Sequence, residues 1–92
     1  MSSRKDAIHS YVELIAMEVL EHIKEKEGFF QDRWVPSVEI KSDLELNFVA
    51  VPKSNEQYGP KGWLMAIAAR MLEDKELVEF KKIGSRSFYR SK

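Results

Sequence analysis

The chain has 92 residues, 43% apolar and 33% charged with no Cys, which describes one small globular domain spanning 1–92 and excludes disulfide scaffolds, thiolate catalysis and cysteine-held metals. Its formal net charge is zero, which argues against a protein that coats nucleic acid indiscriminately. Charges interrupt every apolar run well short of a bilayer span, and no signal-type apolar region follows Met1, so a cytoplasmic location without a membrane partner is expected.

The first predicted element is a helix. Ser3 supplies an N-cap oxygen, and Asp6 three residues later completes a box-like arrangement over the free N–H groups. Ile8, Tyr11 or Val12, Ile15, Val19 and Ile23 recur at helical steps, with Leu14, Met17 and Leu20 widening the stripe. Lys24 and Lys26 suit the negative end of the helix dipole, and Gly28 is a natural stop. A stripe this wide fits either full burial in one core or a second face packed on another subunit.

Phe29, Phe30 and Trp34 predict a packed connector. Trp34-Val35 is a brief β-favouring step that Pro36 ends. Ser37 then caps a second helix through about Leu46, with Val38, Ile40, Leu44 and Leu46 as core candidates. The capping pattern Ser42-Asp43-Leu44-Glu45 leaves open a later start. Residues 47–59 form a long connection, anchored by Phe48, Val49 and Val51 and polar from Lys53 onward. Pro60 suits the first position of a third helix. Trp63 or Leu64, Ile67 or Ala68, and Met71 with Leu72 mark that helix to near Lys75.

The remainder reads as a hairpin of Leu77–Lys81 and Arg86–Arg90, with Gly84 at a left-handed turn position. Ile83 is strained at positive φ, so a loop of three to five residues is expected. Charge is unevenly spread: residues 1–50 carry six Lys/Arg against ten Asp/Glu, and residues 51–92 carry nine against five. The last twelve residues hold Lys81, Lys82, Arg86, Arg90 and Lys92 with no acid, which suggests one directed basic edge.

Catalysis finds little footing. His9 and His22 are thirteen residues apart, roughly 20 Å along one helix at 1.5 Å per residue, so they do not share a metal. No Ser has an evident His partner, and Gly59 with Gly62 is too little for a phosphate loop. No enzyme activity, cofactor or metal is expected.

The predicted order is helix, strand, helix, helix, strand, strand: an α+β fold of three helices and a small antiparallel sheet. In that order, and in GWLMAIAARMLEDKELVEF (62–80) followed by GSRSFYR (84–90), the chain resembles the winged-helix superfamily. The resemblance implies that the short strand joins the hairpin's sheet, and that the third helix enters the major groove of double-stranded DNA while the hairpin, or wing, meets backbone or minor groove. It would make the chain a DNA-binding protein of the transcription-regulator kind, with Lys53, Asn55, Gln57, Tyr58 and Lys61 acting before and at the helix start. Arg70 would read from the helix and Lys81, Lys82, Arg86 and Arg90 would neutralise phosphates, with Phe88 or Tyr89 beside them. The same wing cations also fit simple protection of an exposed edge strand. The third helix is thinly equipped beyond Arg70, whichever face is not core offering Gly62, Met65, Ala66 and Ala69, and burial of that small apolar face under the long connection is the simpler account of it. The alternative is therefore a protein-interaction module on the same scaffold, a homodimer or a partner's dock through helix 1 or the Met65/Ala66/Ala69 face.

Overall fold

The computed structural model describes residues 3–46 and 62–92. Helix α1 runs Arg4–Lys26. It starts as its sequence dictates, with the Ser3 hydroxyl accepting the Asp6 N–H at 3.1 Å. Gly28 does not stop it through a left-handed turn. The chain instead tightens into a 3-10 turn, Glu27–Phe29, with the Phe30 N–H on the Glu27 carbonyl at 3.2 Å. Left-handed backbone comes later, at Asp32 (φ 54°) and Arg33 (φ 64°) inside a second turn, Gln31–Arg33. For Arg33 this is a costly conformation, and it is held by tertiary bonds described below.

Strand β1 is only Val35–Pro36, and it leads directly into helix α2, Ser37–Asp43. Pro36 occupies the cap position and Ser37 is the first helical residue, without a side-chain capping bond. The helix also does not start at Ser42. Ser42-Asp43 is its C-terminal end, closed by the Leu46 N–H on the Lys41 carbonyl (2.8 Å) and the Glu45 N–H on the Ser42 carbonyl (3.2 Å), with Glu45 left-handed at φ 52°. This double bond pattern is a Schellman cap. Helix α3, Trp63–Asp74, ends the same way. The Leu77 N–H meets the Leu72 carbonyl at 2.9 Å and Glu76 is left-handed at φ 59°. The cap turns the chain from α3 straight into the sheet.

Strands β2 (Val78–Ile83) and β3 (Arg86–Ser91) pair from Val78↔Ser91 to Ile83↔Arg86. The loop is therefore the two residues Gly84 and Ser85, shorter than the sequence suggests. Ile83 stays in the strand, and Gly84 alone takes positive φ (62°), which only glycine does without steric cost. The edge strand β1 pairs antiparallel with β3 (Val35↔Tyr89, Pro36↔Phe88), giving the sheet order β1-β3-β2. An edge strand tolerates Pro36 because one side needs no donor. Among the described residues the architecture is thus α+β, three helices with a three-stranded antiparallel sheet.

The core lies between α1 and α3 and is closed by α2 and the sheet. Ala16, Val19, Leu20 and Ile23 of α1 meet Met65, Ala68, Ala69 and Leu72 of α3, with Ile40, Val35, Val78 and Tyr89 around them. Alanines at 16, 68 and 69 let the two helices approach closely. The packing decides three readings of the sequence. Val38 is exposed, because a helix of seven residues turns only Ile40 fully inward. Met65 and Ala69 are buried in the core, so with Ala66 they do not form one exposed face. On α1, burial takes the Ala16–Ile23 side and leaves Ile8, Tyr11 and Leu14 60%, 65% and 62% exposed. Among the described residues no helix is long and apolar enough to cross a membrane.

Candidate nucleic-acid interface

Strand alternation sorts the hairpin residues by face. Val78, Phe80, Lys82, Ser87, Tyr89 and Ser91 lie on the side that includes the core. Glu79, Lys81, Ile83, Arg86, Phe88 and Arg90 lie on the outer side. Tyr89 is accordingly a core residue and not a contact beside the cations: burial and the Glu73 carboxylate push its phenol above the ordinary value, and its ring stands 5.3 Å from that of Phe80. Phe88 is the ring that shares the outer face with the cations.

Trp34, next to β1, organises that outer face. The Arg90 guanidinium lies 4.2 Å from its ring centre and the Lys81 ammonium 4.8 Å, both in the range of cation–π attraction. Lys81 and Arg86 also approach Phe88, at 5.9 and 6.0 Å. A groove of about 450 Å³ runs between the Phe30–Trp34 connector and the hairpin, and both Lys81 and Arg86 line it. Stacking on rings limits where a long side chain points without neutralising its charge. Lys81, Lys82 and Arg86 have no carboxylate partner among the described residues.

Arg90 is differently placed. Its Nε donates to the Glu79 carboxylate across the strand pair, and its Nη1 donates to the Asp32 carbonyl at 3.0 Å. Its charge is thereby largely matched inside the fold. Beside it lies a cluster that the sequence does not announce. Glu27, mostly buried, accepts the Ser91 N–H (2.8 Å), the Ser91 hydroxyl (2.7 Å) and the Arg33 guanidinium (3.0 Å). Arg33 also reaches the Ser91 carbonyl at 3.3 Å. Burial pushes the Glu27 carboxyl up, but the Ser91 donors and Arg33 outweigh it and hold the carboxyl below its ordinary value. No local pattern reveals this clamp, because Glu27 and Ser91 are 64 residues apart.

On α3, Arg70 pairs with Asp74 one turn away at 3.3 Å. The rest of that exposed face is apolar: Ala66, Ile67 (47% exposed) and Met71 line a shallow groove of about 550 Å³ that Arg70, Asp74 and Lys75 border. Lys75 is drawn toward Glu13 of α1 at 3.8 Å. Lys53, Asn55, Gln57, Tyr58 and Lys61, like the proposed anchors Phe48, Val49 and Val51 and the helix start at Pro60, lie outside the described residues. Of the expected contact residues, the structure thus brings Lys81, Arg86 and Arg90 to one sheet face, sets Lys82 on the other, and holds Arg70 apart on α3.

Elsewhere, His22 bonds Asp43 at 3.1 Å and so ties α1 to α2. Among the described residues no group of three His, Cys, Asp or Glu is placed to hold a metal. Compared with known protein families, characterised proteins and solved structures, the chain matches none.

Proposed function

We propose that the chain is a winged-helix domain that binds double-stranded DNA chiefly through its hairpin, acting in the cytoplasm as a transcriptional regulator without catalytic chemistry of its own. The observation that carries this reading is the cationic hairpin: among the described residues Lys81, Lys82 and Arg86 lack carboxylate partners, whereas Arg33, Arg70 and Arg90 each have one. An unmatched cation near a turn is free to displace counterions from phosphate, which drives backbone binding. The sheet order β1-β3-β2 directly behind α3 supports the winged-helix assignment. The α3 face, with one matched arginine among apolar side chains, favours backbone positioning over base reading.

Fluorescence anisotropy against a random-sequence duplex and a single strand of equal length, at low and moderate salt, tests this. Three hairpin contacts give a logarithmic salt slope of about −2.7, and contacts from 53–61 steepen it. Reversing Lys82 and Arg86 to Glu weakens the binding about thirtyfold. No duplex binding at low salt, or binding indifferent to those reversals, overturns the reading.

A second reading, a protein-interaction module on the same scaffold, is favoured by the apolar groove on α3 and the exposed apolar residues of α1. Failure of DNA binding would leave it as the lead.

A further inference from the structure

We infer that α1 is the seam of a twofold dimer, in which the helices of two copies of this chain lie antiparallel across Ala7, Ile8, Tyr11 and Leu14. These residues recur at steps of three and four and fall on one side of α1. That side lies away from Ala16, Val19, Leu20 and Ile23, which fill the core. No described residue covers Ile8, Tyr11 or Leu14, each more than half exposed. Among the described residues the core stripe of α1 is satisfied without this second apolar one.

The charges bordering the band select the occupant. Following the same side along the helix, exposed Arg4 precedes the apolar residues and exposed Glu18, Glu21 and Glu25 follow them. A partner helix must therefore offer an apolar centre, acid opposite Arg4 and base opposite Glu18. This chain, turned end for end, meets that description. An antiparallel pair with its axis near Tyr11 and Leu14 sets Arg4 of each copy beside Glu18 and Glu21 of the other, twice by symmetry. It also opposes the two helix dipoles. A parallel pair would instead stack the glutamates on one another and Arg4 on Arg4. The contact is one helix pair, with Arg4 and Glu18 about 21 Å apart along the axis at 1.5 Å per residue, so the dimer is concentration-dependent.

The inference does not rest on the DNA reading, and its test contains no nucleic acid. Sedimentation equilibrium over a concentration series reads a mass rising from 10.7 kDa toward twice that value. Leu14→Lys, at an exposed position, keeps the helical circular dichroism and weakens the dimer about a hundredfold by losing its apolar contact and opposing charges across the axis. Arg4→Glu alone, or Glu18→Lys with Glu21→Lys, weakens it about fivefold, and all three in one chain restore it. Because the protein has no Cys, an introduced thiol is unique. Tyr11→Cys or Leu14→Cys cross-links on mild oxidation and Glu25→Cys does not. A chain that stays at monomer mass throughout, a dimer that survives Leu14→Lys, or cross-linking through position 25 overturns the proposal.

Discussion

The two ends of the hairpin are built from the same residue types and do different work. At the root, Arg90 faces Glu79 and the Asp32 carbonyl, and Glu27 gathers Arg33 and the donors of Ser91. Toward the tip, Lys81, Lys82 and Arg86 stand with rings or solvent and, among the described residues, no acid. The contrast shows that a basic count read along a strand overstates the charge available to a partner. What matters is the charge left after the fold has matched its own. By that measure Arg70 on α3, with Asp74 at 3.3 Å, belongs with the root.

Breaking the contrast from the tip should have the largest effect. Converting Lys81, Lys82 and Arg86 together to Glu lowers duplex affinity about a hundredfold at low salt, and a urea melt shows the fold retained. Next comes Glu27→Ala at the root. It leaves the Ser91 N–H and Arg33 without their acceptor, costing about 2 kcal/mol in urea denaturation. The pH dependence has a fixed sign. A carboxyl held low in the folded state stabilises fully above its ordinary value of 4.5, and that contribution is lost as pH falls through the depressed folded value. Glu27→Gln should flatten this acid limb, and an unchanged limb would mean the clamp contributes nothing. Arg90→Ala should cost about 1 kcal/mol of stability through its lost carboxylate and Trp34 contacts. Its duplex affinity should shift less than about threefold. A larger affinity loss would place Arg90 with the tip. Smallest is Arg70→Ala, for which anisotropy should report a change within about twofold, since the ion pair already occupies the guanidinium.

Much of the scaffold was legible because it depends on local chemistry. Ser3 and Asp6 mark the start of α1, and hydrophobic periodicity finds α3 and the hairpin. The misreadings occur where tertiary bonds overrule local preference. Gly28 marks where α1 stops, yet the left-handed backbone falls at Asp32 and Arg33, where Glu27 and the Ser91 carbonyl bind the Arg33 guanidinium. Glu45 and Glu76 take cap positions that usually signal Gly, so the true end of α2 looked like a possible beginning. Gly84 marked the turn, but assigning Ile83 to the loop made it too long. On α3, small residues carry little directional signal, so Met65 and Ala69 fit a docking face or burial under the connecting loop, and their packing against α1 decides for burial. The hairpin cations were visible at once. Their division into matched and unmatched was not, since Arg90's acid lies across the strand pair and Glu27's partner lies at the far end of the chain.

The sheet order has a consequence for how the molecule reaches its native state. Its central strand, β3, comes last of the three in sequence, and β1 has no hydrogen-bonding neighbour without it. β2 and β3 close over a two-residue turn, a local event on the microsecond scale. β1, two residues long and separated from β3 by α2, α3 and the segment between them, has to wait for that hairpin and then close a long loop. The topology thus predicts that the docking of Val35 against Tyr89, fastened by Glu27 on Ser91, comes late in folding. Until it happens, Trp34 and the hairpin's outer face lack the cover they give each other.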